Sequence, residues 1–310
     1  MPTGLVLIST VSLWAGGVGA PPTETVAWQA ALDRAGYSAG IIDGQAGRKL
    51  EVAIRTFQTA RGLKVTGKQD DETATALGIS KTAPTIAYKI TAADVKMVQP
   101  PPVKWQDKAK RSRLGYRSLV DLLGERGHCT QPLLARLNPR VNLNALKAGD
   151  QVVLPSVWSP QSPPRAAKLR VDLAAKTIQV LDRSSKVIGL FHCSIAKDKA
   201  KRPSGKARVV TVSKNPDYLF DPKMWPEVKD VKKKLRIPPG PRNPVGLAWI
   251  GLSLPGYGIH GTPEPAMIGK TGSHGCFRLA NWDAVRLSRM VRVGTPVEFI
   301  DEAVSYATRP

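Results

Sequence analysis

KLRVDLAAKTIQVLDRSSKVIGLFHCSIA, residues 168–196, sets the fold class of the larger part of this chain. Its apolar runs, KLRVDLA, TIQVLDR and VIGLFHCSIA, are short, rich in β-branched residues and bounded by turn-forming Asp, Ser and Gly. Such runs read as strands, because branched side chains pack well on a pleated surface and the residues between them favour turns. The pattern continues with ARVVTVS (207–213), GLAWIGL (246–252) and TPVEFI (295–300). One stretch differs. NWDAVRLSRMVRV (281–293) reads as a helix, with Asn281 placed to cap its start and Gly294 to end it. A mostly β domain, sandwich or barrel, with one good helix is therefore expected.

Upstream the character changes. At 310 residues the chain is long enough for two or three domains. Two proline-rich joints, QPPPVKW (99–105) and WSPQSPPR (158–165), favour extended, poorly packing backbone. The resulting multidomain division is a possible signal segment at 1–21, a helical module at 22–80, a middle segment at 81–157, a linker at 158–166 and the β domain at 167–301. In the helical module, TVAWQAALDRAGY has near-helical spacing and Gly36 suits its end. After the turn IIDGQAG, the run KLEVAIRTFQTARGL puts Leu50, Ala53, Ile54, Phe57 and Gln58 on one face, closed by Gly62. TGKQDDETATAL supplies a third short helix. In the middle segment, YRSLVDLLGERGHCTQPLLARLNP has helical periodicity and NALKAGDQVVLPS reads as a turn and a short strand.

Composition narrows the function classes. Hydrophobic content of 42% supports buried cores, and 23% charged residues argue against wholesale disorder. The 46 basic against 24 acidic side chains give +22, which favours polyanionic surroundings. Nucleic acid, an acidic membrane surface and a carboxylate- or phosphate-rich wall polymer are the candidates. No zinc-finger spacing, RNA-binding aromatic signature or heptad-linked basic helix accompanies the charge, so nucleic acid is not expected as a partner. The denser patches, KWQDKAKRSR (104–113) and KDVKKKLR (229–236), read as solvated loops or as a polyanion site. The first twenty residues, MPTGLVLISTVSLWAGGVGA, carry no charged side chain and end in small residues, as a secretory signal does. They lack a leading Lys or Arg and Pro21 follows directly, so a mis-set start or an apolar strand stays open beside export. The segment is short and glycine-rich for a membrane span.

The residues that carry chemistry crowd into IHGTPEPAMIGKTGSHGCFRLAN, 259–281. The chain has four histidines and three cysteines, and His260, His274 and Cys276 fall within it. Zinc accepts such ligands, but two of them at i and i+2 across a glycine are not a common chelating pair. A thiol needs less: a histidine to take its proton, a group to orient that histidine, and backbone donors facing the oxygen that becomes negative. Gly275, immediately before Cys276, lets a substrate carbonyl approach the backbone, and the Gly275 and Cys276 amides are natural oxyanion donors. Cys129 and Cys193 lie among apolar neighbours and read as buried, unreactive thiols. Three scattered cysteines are too few for a disulfide framework.

The run HGT…IG…SHGCFRLANWDAVRL…V..GTPVEF resembles the L,D-transpeptidase catalytic domain of YkuD type. The likeness extends upstream through VDLAAKTIQVLD, RPSGKARVVTVS and NPVGLAWIGL. The helical module, with GY..G.IDG..G, AI..FQ...GL and TG..D..T...L in order, resembles the peptidoglycan-binding module of cell-wall enzymes. The middle segment resembles a LysM-type glycan-binding module, with a structural spacer as the other reading. The resemblance implies a cysteine acyltransferase forming 3→3 cross-links between peptidoglycan stem peptides, located in the periplasm or cell wall and using no metal or organic cofactor; an L,D-carboxypeptidase, a transferase anchoring protein to the wall and a non-catalytic wall-binding scaffold stay open beside it. By position, Cys276 would be the nucleophile and His260 its base, with the imidazole oriented by the backbone carbonyl of Gly261. The amides of His274, Gly275 and Cys276 would form the oxyanion hole, and Ser273 and Arg278 would position the loop or a substrate carboxylate. The basic stretch 217–242 stands as an insertion against the family pattern.

Overall fold

The computed structural model describes residues 24–159, 161–225, 228–270 and 275–301; the apolar segment 1–21, Ser273 and His274 lie outside the described residues. The helical module contains α1 (Glu24–Ala35), α2 (Arg48–Arg61) and α3 (Asp71–Leu77). Gly62 ends α2 in the left-handed region at φ +69°, where it donates to carbonyls of the last turn. Asp70 starts α3 by accepting from the Thr73 amide. Trp28, Leu32, Ile54 and Phe57 fill the core. Gln58, expected on that face, is buried without cost in unmade bonds: its carbonyl accepts from the Gly67 amide and its amide group donates to Thr73.

The middle segment runs β1 (Thr85–Lys89), α4 (Ala92–Met97), α5 (Trp105–Ala109), α6 (Leu119–Arg126), α7 (Gln131–Leu137) and β2 (Gln151–Pro155). Strand β1 pairs antiparallel with β2, Ala87 opposite Val153. The QPPPVKW joint thus lies inside this segment, between two strands that pair across it. The periodic run from Tyr116 to Pro139 divides into two helices. Thr130 caps α7 by accepting from the Leu133 amide, and Pro132 sits in the first turn, where its missing N–H costs nothing. Part of KWQDKAKRSR is helix α5 rather than loop, because Trp105 has an apolar surface to cover.

The β domain carries β3 (Lys168–Asp172), β4 (Thr177–Leu181), β5 (Val187–His192), β6 (Gly205–Lys214), β7 (Tyr218–Phe220), β8 (Leu235–Ile237), β9 (Ala248–Leu252), β10 (Gly258–His260), β11 (Phe277–Arg278), α8 (Asn281–Met290) and β12 (Pro296–Ile300). Eight strands form one sheet in the order β11-β10-β9-β6-β12-β3-β4-β5. The three opening runs are the antiparallel meander β3-β4-β5, and β12 lies parallel to β3. Ser194, just past β5, exchanges backbone hydrogen bonds of 2.9 and 3.0 Å with Arg278 on β11. The two ends of the sheet therefore meet, and the curled sheet encloses one core of Leu169, Val180, Phe191, Ile250, Ile259 and Phe277. Helix α8 closes it with Ala284, Leu287 and Met290.

Helix α8 departs from expectation at both ends. Asn281 is its first residue, not its cap, and Ala280 precedes it. The Asn281 amide is instead spent on helix α6 and the β8–β9 connection, accepting from Leu247 N and donating to Glu125 and to the Pro241 carbonyl. The helix stops at Met290 rather than at Gly294. There the Met290 carbonyl accepts from Ala166 and a turn closed by Thr295 leads into β12.

The insertion 217–242 is a hairpin, β7 antiparallel to β8. It shares a small core with the middle segment, in which Trp105 stacks on Phe220 at 4.2 Å. That contact brings the two basic patches together, with their apolar residues turned inward. Lys229, Lys232, Lys233, Lys234 and Arg236 remain exposed.

The helical module docks on the far edge of the sheet. Tyr37 forms a parallel bridge to Leu190 on β5, and Arg286 of α8 donates to the carbonyls of Asp33 and Arg34. Lys49, from α2, donates to the Ile268 carbonyl at 2.8 Å, so the module touches the segment leading to the Cys276 loop. Cys129 and Cys193 are unbonded and buried in two separate cores, and burial pushes each thiol up to about 12.

Candidate active site

Two very short strands build the site. β10 pairs parallel with β11, Ile259 opposite Phe277 and His260 opposite Arg278. Ile259 and Phe277 belong to the core, so the alternation of a strand turns His260, Arg278 and Cys276 to the other face. Cys276 aligns with Gly258, two residues before His260. Strand spacing and rise set such diagonal neighbours about 8 Å apart at Cα. An imidazole and a thiol projecting from one face can close that gap.

His260 is buried and its tautomer is fixed. Nδ1 lies 2.6 Å from the Gly261 carbonyl oxygen, which can only accept, so Nδ1 carries the proton and Nε2 keeps its lone pair. Opposite it across β9, Trp249 stacks on the ring at 5.6 Å and 21°. Burial holds the imidazole down at about 4, with the Arg278 charge adding to the effect and the Gly261 hydrogen bond opposing it. The ring is thus neutral across the physiological range.

Gly261 has no room to be anything else. A Cβ there would lie 2.4 Å from Asn281 Oδ1, closer than real contacts allow. Asn281 cannot retreat easily, since its head group is held by Leu247, Glu125 and Pro241. This asparagine backs the residue that orients the imidazole. Its place directly after SHGCFRLA was the only hint in the sequence, where helix capping gave a simpler account of it.

The thiol is half-buried, and Sγ donates weakly to the Gly256 carbonyl at 3.5 Å. Burial raises its pKa, against which a Gly258 backbone hydrogen bond and the Arg278 charge both act. Arg278 thus bears on thiol and imidazole alike. With the imidazole pushed down and the thiol pushed up, the resting pair is neutral. Such a pair can pass a proton as attack begins, as general-base chemistry requires.

The walls of the site were not legible as such. Tyr257 lies beside Gly275, whose added Cβ would sit 3.6 Å from its ring, and its hydroxyl donates to the Lys201 carbonyl at 2.8 Å. On the 217–242 hairpin, Tyr218 accepts a hydrogen bond from Trp225 at 3.0 Å. Burial raises the Tyr218 phenol, the Trp225 hydrogen bond opposes that, and the Cys276 charge adds to it. Of the expected site residues, His260, Gly261, Gly275, Cys276 and Arg278 come together. His274 and Ser273 lie outside the described residues. Among the described residues, no group of three His, Cys, Asp or Glu side chains converges to hold a metal.

Comparison with known proteins identifies the domains. The family model for the L,D-transpeptidase catalytic domain matches residues 166–299, and that for a peptidoglycan binding domain matches residues 23–77. The chain is similar to the L,D-transpeptidase-type protein YkuD of Bacillus licheniformis, 28% identical over 168 residues that cover 54% of this chain and 85% of the relative. It is also similar to the L,D-transpeptidase-type protein YbiS of Escherichia coli, 49% identical over 76 residues that cover 24% of each. Among solved structures, an L,D-transpeptidase from Mycobacterium smegmatis overlaps with a TM-score of 0.34 at 22% identity, covering 43% of this chain and 57% of that one. That overlap is too slight to bear on the fold. The matches to the two family models and to the relatives identify the domains: residues 166–299 are an L,D-transpeptidase catalytic domain, residues 23–77 a peptidoglycan-binding domain, and the chain is an enzyme of the L,D-transpeptidase family.

Proposed function

We propose that the enzyme transfers an acyl group between peptidoglycan stem peptides through a thioester on Cys276. His260 Nε2 takes the thiol proton while Sγ attacks the carbonyl between the third stem residue and the terminal D-alanine. The amides of His274, Gly275 and Cys276 receive the negative oxygen. The C–N bond then breaks, the imidazolium returns its proton to the departing amine, and D-alanine leaves. An amine of a second stem attacks the thioester, His260 accepts its proton, and the thiol is restored as a 3→3 cross-link forms. The observation that carries this reading is the hydrogen bond from His260 Nδ1 to Gly261, which frees Nε2 on the face shared with Cys276. Water as acceptor would make the enzyme a carboxypeptidase, and a protein amine would make it an anchoring transferase. Mass spectrometry of muropeptide products decides: cross-linked dimers with a 3→3 bond are expected, and tripeptides alone would reject the transpeptidation step.

Peptidoglycan is the partner that both matched domains point to, which places the enzyme's work in the cell wall or periplasm. Among the described residues no helix is long and apolar enough to cross a membrane. We infer a further role for the +22 charge in holding the enzyme near acidic wall polymers. The packing of the two basic patches into one small core through the Trp105–Phe220 stack supports this, because it brings their cations near one another. Retention on isolated cell walls should fall several-fold between low and 0.5 M salt, an ionic strength chosen for a Debye length of roughly 4 Å. Retention independent of salt would contradict the idea.

A further inference from the structure

A basic hollow lies along the segment that pairs with β11, the strand directly after the nucleophile. It encloses about 400 Å³, and its charged lining residues are Lys176, Lys197, Arg202 and Lys270, with no carboxylate among the residues that line it. The nearest acid in sequence, Asp198, is occupied in capping a turn, accepting from the Ala200 amide at 3.0 Å. Four cations around one hollow repel one another unless an anion enters.

The hollow's position is fixed by backbone pairing. Ser194 and Ala196 line it, and Ser194 pairs antiparallel with Arg278. Continued in that sense, the segment 194–197 runs back along β11 toward Cys276. A second tie agrees: Tyr257, beside Gly275, bonds the Lys201 carbonyl of the same KDKAKR loop. Two of the cations are anchored. Arg202 Nε donates to the Ala196 carbonyl at 3.1 Å, which sets the plane of its guanidinium, and Lys176 donates to the Gly269 carbonyl at 3.0 Å. Arg202 makes no ion pair among the described residues, so its terminal nitrogens can present a fork to a carboxylate.

We propose that this hollow is a carboxylate subsite for the terminal residue of the peptide substrate. The inference rests on the acyl-transfer reading given above. In an amide whose nitrogen belongs to a chain-terminal residue, the free carboxylate stands three bonds from the reacting carbonyl, within roughly 4 Å by ordinary bond lengths. A subsite for it must therefore lie close to the nucleophile, and the segment that lines this hollow runs along β11 toward Cys276. It would confine cleavage to the bond next to a chain end, since an internal peptide offers no carboxylate there. It would also leave the cations to receive an acidic acceptor once the terminal residue departs.

The test compares a tetrapeptide stem with the same peptide carrying a C-terminal carboxamide. Acyl-enzyme formation is followed by intact mass in the wild-type enzyme and in Lys197→Met and Arg202→Gln. The wild type should favour the free acid by tenfold or more, and each variant should shrink that ratio, the double variant toward unity. A wild type that reacts equally with both peptides, or variants with an unchanged ratio, would overturn the subsite. Should neither peptide form an adduct, the acyl-transfer reading fails on its own. The subsite is then judged by calorimetry on Cys276→Ala protein: a preference for acid over amide that Lys197→Met removes upholds it, and equal binding of the two rejects it.

Discussion

Replacing Cys276 with alanine is expected to abolish turnover while leaving the fold intact. The substitution removes one sulfur atom from a half-buried position just before β11, where it bonds the Gly256 carbonyl weakly at 3.5 Å and also meets the Gly258 backbone. It opens no cavity in the core, so a stability change of about 1 kcal/mol or less is expected. Activity should respond on another scale. Without the thiol no thioester can form, and loss of a covalent nucleophile costs on the order of 10⁴-fold or more in kcat. Circular dichroism and melting of the variant beside the wild type establish the fold, and muropeptide turnover establishes the loss. Turnover retained in a folded alanine variant would remove Cys276 from the mechanism.

His260→Ala should cost nearly as much, because a nucleophile and its base act as a unit. The Cys276→Ala/His260→Ala double variant is accordingly expected to be no worse than either single one. The alanine also leaves a space beside Trp249, so His260→Gln, which fills more of the site without supplying a base, separates lost chemistry from lost packing. The pH dependence of the wild type carries a second readout of the same residue. His260 must be neutral to accept the thiol proton, and burial sets its protonation at about 4, below the ordinary histidine range. The acid limb of kcat/KM should therefore fall near pH 4, with activity maintained through pH 6. The sign follows from the direction of the shift: lowering the pKa moves protonation of the base to more acidic conditions. An acid limb near pH 6.5 would mean that the imidazole is solvated in the working enzyme. Arg278 is the cation that acts on both His260 and Cys276, and it stays charged across this range.

Long strands, helices and the residues proposed to react were legible because each is written locally. KLRVDLA, TIQVLDR and VIGLFHC are strands for reasons contained in their own side chains, and AI..FQ...GL forms a helix on its own apolar face. The spacing of His260, His274 and Cys276 needed no structure to be seen. The elements that make those residues a site were harder. β10 and β11 span three residues and two, too short for any periodicity, and exist because each is paired by a neighbour distant in sequence. The closing bridge from Ser194 to Arg278 has no local signal either. Strand β1 escaped notice because its partner lies beyond four helices. Asn281 looked like a helix cap because capping is what an asparagine before a helix does most often. Its part in holding Gly261 depends on helix α6 and the β8–β9 connection, which meet it only in the folded chain.

The most direct test of a thioester on Cys276 is the intact mass of the enzyme incubated with a tetrapeptide-stem muropeptide, wild type beside Cys276→Ala. The account predicts a wild-type adduct with the mass of the bound stem less D-alanine, absent from the variant. An adduct that survives in Cys276→Ala, or a folded wild-type enzyme that forms neither adduct nor product, would contradict it.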